Sequence, residues 1–269
     1  MLLNNKKCHN CNAYYDPTLY ECPQCHKENE LYTNRQLSDS VMYYHPIAQI
    51  GLFLAGFSYV GMLVSGFIVA LVPYGVDDNG LRGALVILFT YLLMLSALMT
   101  ISFTSRERIF IKKFKRPYDY LFGLAYAGGI VLFGWIIGLI TGMFYKDPNV
   151  NQQTAESLIT NYPIIAAFVI CILGPICEEL TYRVGLYSFL RRIDKVLAFI
   201  VTVFVFALIH FDFMAENIIG ELWSLPSYLM CGALLTMAYD HRGPACSILA
   251  HIAYNTTAFF AVIIGNIHG

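Results

Sequence analysis

Charge is scarce in this sequence. Only 13% of its 269 residues are Asp, Glu, Lys or Arg, while 57% are hydrophobic. A soluble domain usually carries about 25% charge, so an ordinary water-facing surface is excluded and a lipid solvent is indicated. A second absence lies near the start. The first 40 residues are polar and have no apolar stretch ahead of a small-residue cleavage site, so the first hydrophobic segment is expected to be an uncleaved anchor. Period-two alternation is missing too. An open strand could not satisfy its backbone in lipid, which leaves helix as the state of the apolar segments.

Seven such segments come after a polar head that ends near Tyr44: Ile47–Val72, Gly83–Ile101, Tyr120–Phe144, Pro163–Leu190, Val196–Phe211, Ile218–Ala238 and Pro244–Ile264. Most reach the roughly 20 residues that a bilayer core requires. The fifth is short, the sixth is interrupted by Glu221 and Pro226, and the long fourth can be split into two. The expected fold is therefore an all-α integral membrane protein of about seven transmembrane helices, or eight. The net charge of −1 hides strong segregation. Basic residues crowd the N-terminal head (Lys6, Lys7, Lys27, Arg35), the second loop (Arg106, Arg108, Lys112, Lys113, Lys115, Arg116) and the fourth (Arg191, Arg192, Lys195). The first, third and sixth loops have one each (Arg82, Lys146, Arg242), and the fifth loop and the tail have none. This alternation puts the N-terminus in the cytoplasm and the C-terminus outside, in the cell membrane.

The eight cysteines form two groups. Cys171, Cys177, Cys231 and Cys246 lie in apolar segments and read as small buried hydrophobes. Cys8, Cys11, Cys22 and Cys25 form two CxxC pairs in the polar head, the spacing with which two knuckles clasp a tetrahedral zinc ion. About 30 residues cannot bury enough core to fold alone, and a metal supplies the missing stability. The cytoplasm is reducing, which disfavours disulfides. Pro17 and Pro23 suit turns beside the ligands, and His9 and His26 are expected as exposed neighbours. Four thiolates leave no open position, so this zinc is structural. Residues 1–33 are expected as a cytoplasmic zinc ribbon, 34–46 as a linker and 47–269 as the membrane domain.

Ionisable residues inside membrane helices are costly and point to function. Glu178-Glu179-Leu180-Thr181-Tyr182-Arg183 lies in the fourth segment. Glu179 and Arg183, four apart, can pair along one face and leave Glu178 free for proton transfer. Pro175, after Gly174, removes a backbone hydrogen bond and is expected to kink the helix beside them. Phe206-Ala207-Leu208-Ile209-His210 lies late in the fifth segment. His251-Ile252-Ala253-Tyr254-Asn255 lies in the seventh, its His and Asn on one face and able to donate to an oxyanion. Each group read singly has a plain structural alternative: a solvated helix end, an interfacial histidine, or interhelical hydrogen bonds. At 1.5 Å per residue, Glu178 and His251 lie roughly 18 and 12 Å from the inner ends of their segments and His210 roughly 20–25 Å. Their convergence therefore demands a tilted or shifted fifth helix.

In this order and spacing the three groups resemble the CPBP family (CAAX proteases and bacteriocin-processing enzymes, also called ABI), whose pattern is EExxxR, FxxxH and HxxxN on successive membrane helices. The resemblance covers about Pro163 to Asn255, within an expected catalytic core of about 163–265. It implies an intramembrane endopeptidase acting on small peptides or membrane-associated protein termini. Glu178 and His210 would activate a water, His251 and Asn255 would stabilise the oxyanion, and Glu179, Arg183 and Phe206 would support the site. There is no HExxH helix, yet Glu178, His210 and His251 are acceptable metal ligands, so a catalytic metal stays open. A non-proteolytic membrane regulator on the same scaffold is the alternative. A transporter is disfavoured by the absence of an internal repeat. The implied partners are a peptide or membrane-protein substrate, the bilayer and a cytoplasmic protein docked on the ribbon, with no nucleic acid.

Overall fold

A computed structural model of the chain describes residues 6–15, 21–27, 45–57, 79–104, 114 and 117–268. A two-stranded antiparallel ribbon, β1 (Lys6–Lys7) and β2 (Tyr14–Tyr15), pairs Lys6 with Tyr15 and Lys7 with Tyr14. The other elements are helices: α1 (Pro46–Gly56), α2 (Asn79–Thr104), α3 (Pro117–Gly142), α4 (Val150–Asn161), α5 (Pro163–Leu190), α6 (Lys195–Leu208), α7 (Ile218–Arg242) and α8 (Pro244–His268). Proline opens α1, α3, α5 and α8, where its missing N–H is no loss and its fixed φ suits the first turn. Asn149, Asp194 and Asn217 cap α4, α6 and α7 by accepting from the backbone N–H of Gln152, Leu197 and Gly220. Gly243, at φ 87°, ends α7 and lets Pro244 begin α8 at once.

Among the described residues, α2, α3, α5, α7 and α8 are long and apolar enough to cross a membrane, and α1 and α6 are shorter apolar helices. The chain is thus an all-α multi-pass membrane protein, as its composition requires. The central span is α5. More than half of its apolar window is buried (56%), against 28% or less in the other four. It runs unbroken from Pro163 to Leu190, so the fourth apolar segment is one span and is not split.

Two expectations change, and a third lies largely outside the described residues. The apolar pattern carries the first segment to Val72. Helix α1 ends at Gly56, and the rest of that segment, residues 58–72, lies outside the described residues, as do Pro17 and all six basic residues of the second loop. The same pattern keeps the fifth segment helical to Phe211, yet α6 ends at Leu208. Beyond it the backbone tightens: His210 N–H donates to the Ala207 carbonyl (3.2 Å) and Phe211 N–H to that of Leu208 (3.2 Å). His210 therefore sits in a turn past the helix. Finally, nothing in the hydropathy anticipates α4. It is too polar to register as a span, and it is held by burying Ile159 in a cluster with Ala166, Cys171 and Phe259.

Glycine permits the closest helix approaches. A Cβ on Gly185 of α5 would stand 2.8 Å from the Phe53 backbone N of α1, and one on Gly123 of α3 would stand 2.8 Å from the Cys246 carbonyl oxygen of α8. Backbone cannot yield as a flexible side chain can. Gly123→Ala and Gly185→Ala should each lower stability by about 1–3 kcal/mol, read as a reduced melting temperature in detergent. Gly138→Ala, which meets nothing within 4 Å, should leave it unchanged or raise it slightly.

Candidate functional site

The intramembrane cluster is built around Glu179, whose side chain is fully buried. Its Oε1 accepts from Arg183 Nη1 at 2.9 Å, the pairing expected from their four-residue spacing. The same oxygen meets His251 Nδ1 at 3.0 Å. Arg183 is itself fully buried. It donates from Nη2 to the Gly232 carbonyl (3.2 Å) and lies 4.3 Å over the Phe206 ring. A guanidinium in lipid needs such partners around it.

Glu178 is set apart, its side chain 18% exposed. Its Oε2 lies 3.8 Å from His251 Nε2, beyond hydrogen-bond reach, and makes no other hydrogen bond. A carboxylate can only accept, so His251 donates from Nδ1 to Glu179 and turns Nε2 toward Glu178.

Phe206 ties the histidines together. Its ring is 4.9 Å from that of His210, 6.0 Å from that of His251 and edge-on to Tyr182 at 5.9 Å. Gly232 makes room for it, since a Cβ there would meet the ring at 3.1 Å. His210 folds back one turn, its Nδ1 donating to the Phe206 carbonyl at 2.8 Å. Because a carbonyl only accepts, that nitrogen carries the proton and Nε2 keeps its lone pair.

Asn255 has a different local partner. Its Nδ2 donates to the Ile170 carbonyl at 2.9 Å. The cause is Pro175. Helix α5 widens into π-helical turns over Ala167–Leu173 and again over Glu179–Tyr187, on either side of Glu178. Gly174 N–H reaches back five residues to Val169. Ile170, five residues before Pro175, would need an N–H that proline lacks. Asn255 satisfies that orphaned carbonyl with one of its two N–H bonds. The expected proline kink is thus expressed as wide turns rather than a break.

The structure brings Glu178, Glu179, Arg183, Phe206, His210 and His251 into one connected group, with Asn255 one turn along α8 from His251. It adds residues that the motifs did not single out. Gly232 supplies the carbonyl for Arg183 and the space for Phe206. Tyr228 stacks on His210, the ring centroids 4.6 Å apart and the planes 19° from parallel. The acid that interrupts the sixth segment, Glu221, was the available signal for this part of the site.

The N-terminal head forms a separate centre. The ligand sulfurs of Cys8, Cys11, Cys22 and Cys25 all lie within 4.8 Å of one another. Cys8 Sγ is 3.7 Å from Cys25 Sγ, and Cys11 Sγ is 3.5 Å from Cys22 Sγ. Ligands at the Zn–S distance of about 2.3 Å would form a tetrahedron with edges of about 3.8 Å, so the cluster fits a four-thiolate metal site. Among the described residues, no other group of three or more His, Cys, Asp or Glu ligand atoms is gathered this way, Glu178, His210 and His251 included. Both knuckles use one fold. Asn12 N–H donates to the Cys8 carbonyl (2.9 Å) and His26 N–H to that of Cys22 (2.8 Å), with Asn12 and His26 at φ 61° and 56°. Hydrogen bonds to the Asn10 side chain and the Lys27 backbone pull the Cys25 thiol down to about 6, while against the Ala13 backbone hydrogen bond burial and the neighbouring thiols push Cys11 up to about 12, as expected of crowded thiols that share protons. His9 is exposed, and His26 faces Glu21 at 3.2 Å. The other four cysteines are buried free thiols, as expected.

No curated protein and no solved structure matches the chain. Residues 160–257 do match a family, described as type II CAAX prenyl endopeptidase Rce1-like. The match spans all three motifs and every side chain of the Glu179 cluster, and it agrees with the resemblance read from the sequence. Over this stretch, which is less than half of its length, the chain is similar to the Rce1-like CAAX prenyl endopeptidase family.

Proposed function

We propose that the chain hydrolyses peptide bonds within the membrane, using Glu178 and His210 to activate a water. The observation that carries this reading is the division of labour between adjacent glutamates. Glu179 is fully buried and engaged at Oε1 by both Arg183 and His251, its Oε2 alone unpaired, while Glu178 is partly exposed, its Oε2 unpartnered and facing His251 Nε2. The water gives a proton to Glu178, assisted by the Nε2 lone pair of His210, as its oxygen bonds to the scissile carbonyl carbon. The carbonyl oxygen gains the electron pair. His251 Nε2, when protonated, and the second N–H of Asn255 donate to that oxyanion. Collapse breaks the C–N bond, and the proton held by Glu178 goes to the leaving amine. Glu179 and Arg183 hold the site together throughout. Substrates of this reading are small peptides or membrane-associated protein termini, prenylated CAAX tails among them. The basic loops support a cytoplasmic N-terminus and an extracytoplasmic C-terminus.

Zinc is the ion proposed for the four cysteines, where it would supply the folding energy of a small ribbon. That ribbon is a docking module for a cytoplasmic protein in this reading. Full-length protein should carry one equivalent of zinc by elemental analysis. A version lacking residues 1–33, or Cys8→Ser with Cys22→Ser, should carry none. Zinc persisting in both would place a metal in the membrane domain instead.

The test of the chemistry separates catalysis from scaffolding. With purified protein and an internally quenched prenylated CAAX peptide, Glu178→Gln and His210→Ala should each lower turnover by about 10²- to 10⁴-fold at an unchanged melting temperature. Arg183→Met leaves Glu179 without its buried counter-charge and should destabilise the fold by about 3–5 kcal/mol. Turnover untouched by both Glu178→Gln and His210→Ala would sink the protease reading in favour of a regulator.

A further inference from the structure

Glu221 is a buried carboxylate to which the hydrolysis assigns no role. Only 1% of the residue is exposed. It stands in the first turn of α7, away from Glu178 and Glu179 in sequence, and both of its oxygens are engaged. Oε1 accepts from the backbone N–H of Val150 at 2.8 Å, the first residue of α4. Oε2 accepts from the backbone N–H of Asp212 at 3.1 Å, two residues past His210. The Asn149 amide approaches the same Oε2 at 3.5 Å.

Those contacts converge on the turn that carries His210. That turn has left the α-helix, and its backbone is tied to α6 by the tighter bonds of His210 and Phe211 N–H to the Ala207 and Leu208 carbonyls. Asp212 N–H is held by Glu221, and the His210 carbonyl accepts from Asn149 Nδ2 at 3.4 Å. The turn is therefore anchored both at His210 and two residues beyond it. The ring is set by a third contact, the stack on Tyr228, whose hydroxyl is hydrogen-bonded by Asn149 Nδ2 (3.3 Å) and Asn151 Nδ2 (3.0 Å). Asn149 does this while its Oδ1 caps α4 at the Gln152 N–H (2.9 Å).

The placement is electrostatically sound. The carboxylate lies at the N-terminal ends of two helices, α4 and α7, where partial positive charge and unpaired N–H groups favour an anion. An uncompensated acid in a membrane bundle would be strongly unfavourable. Here its oxygens replace the hydration that two segments would otherwise lack.

We infer that Glu221 is a positioning residue, which with Asn149 clamps the His210 turn to the start of α4 and so fixes the imidazole for proton transfer. This rests on the catalytic reading of His210. It extends the site beyond the family-matched stretch, because Asn149 and Val150 precede residue 160. A polar helix that looks like a mere connector becomes part of the frame of the active centre.

The experiment pairs an exchange measurement with turnover of the same prenylated CAAX peptide by the full chain. In Glu221→Leu, amide hydrogen exchange over residues 209–213 should accelerate at least about 10-fold. Turnover should fall about 10- to 100-fold, with KM within about twofold of the parent. Glu221→Gln retains an accepting oxygen and should keep more than about a third of the activity. In the His210→Ala background, Glu221→Leu should cause no further loss, because a residue acting through His210 has nothing left to position. Unchanged exchange in the turn would overturn the clamp. So would a loss in Glu221→Leu that multiplies with that of His210→Ala. If His210→Ala alone cleaves at full rate, the catalytic reading fails, and that failure is separable because the exchange result reports the clamp without reference to activity.

Discussion

One oxygen atom organises the membrane core. Oε1 of Glu179 receives hydrogen bonds from the Arg183 guanidinium on its own helix and from the His251 imidazole on α8. In lipid neither a lone carboxylate nor a lone guanidinium is tolerable, and each persists only because the other is there. Their neutralisation fixes how α5 and α8 face one another. It also draws in α7 through the Gly232 carbonyl and α6 through the Phe206 ring. Four helices are keyed to one ion pair, so the spacing of two residues on α5 sets the arrangement of a site assembled from widely separated parts of the chain.

A second constraint comes from an absent N–H. Pro175 strips one donor from α5, which is wide-turned before it, over Ala167–Leu173, and again beyond Glu178, over Glu179–Tyr187. Each added residue in such a turn rotates the downstream helix by about 100° relative to an uninterrupted α-helix. The orphaned Ile170 carbonyl then recruits Asn255 from α8. The residue that a motif reading assigns to transition-state stabilisation thus also repairs the helix that bears the glutamates. Loss of Asn255 would disturb both, and a drop in activity alone could not tell one from the other.

Much of this was legible beforehand. Lipid residence is written in the composition, and the spans in runs of apolar residues, because a bilayer imposes one length on every crossing. The Glu179–Arg183 pair was readable because helix geometry places i and i+4 together. What escaped was whatever depends on neighbours. The end of α6 at Leu208 is invisible in an apolar run that continues to Phe211, since only the turn's hydrogen bonds reveal it. Helix α4 carries too few apolar residues to announce itself and exists because Ile159 finds a cluster. Glu221 looked like a flaw in the sixth segment, although its partners are the backbone groups of two segments distant in sequence. Gly232 is one glycine among 20, and nothing marks it until Phe206 and Arg183 lie against it.

The shared oxygen of Glu179 also bears on bioenergetics. The Nδ1 proton of His251 is committed to it, and directly behind stands a guanidinium that never releases its charge. A relay of titratable groups through the bundle is therefore interrupted at its centre, because arginine bars the passage of protons as it does in selective pores. The bundle can thus hold ionisable groups in lipid without a titratable path running through Arg183.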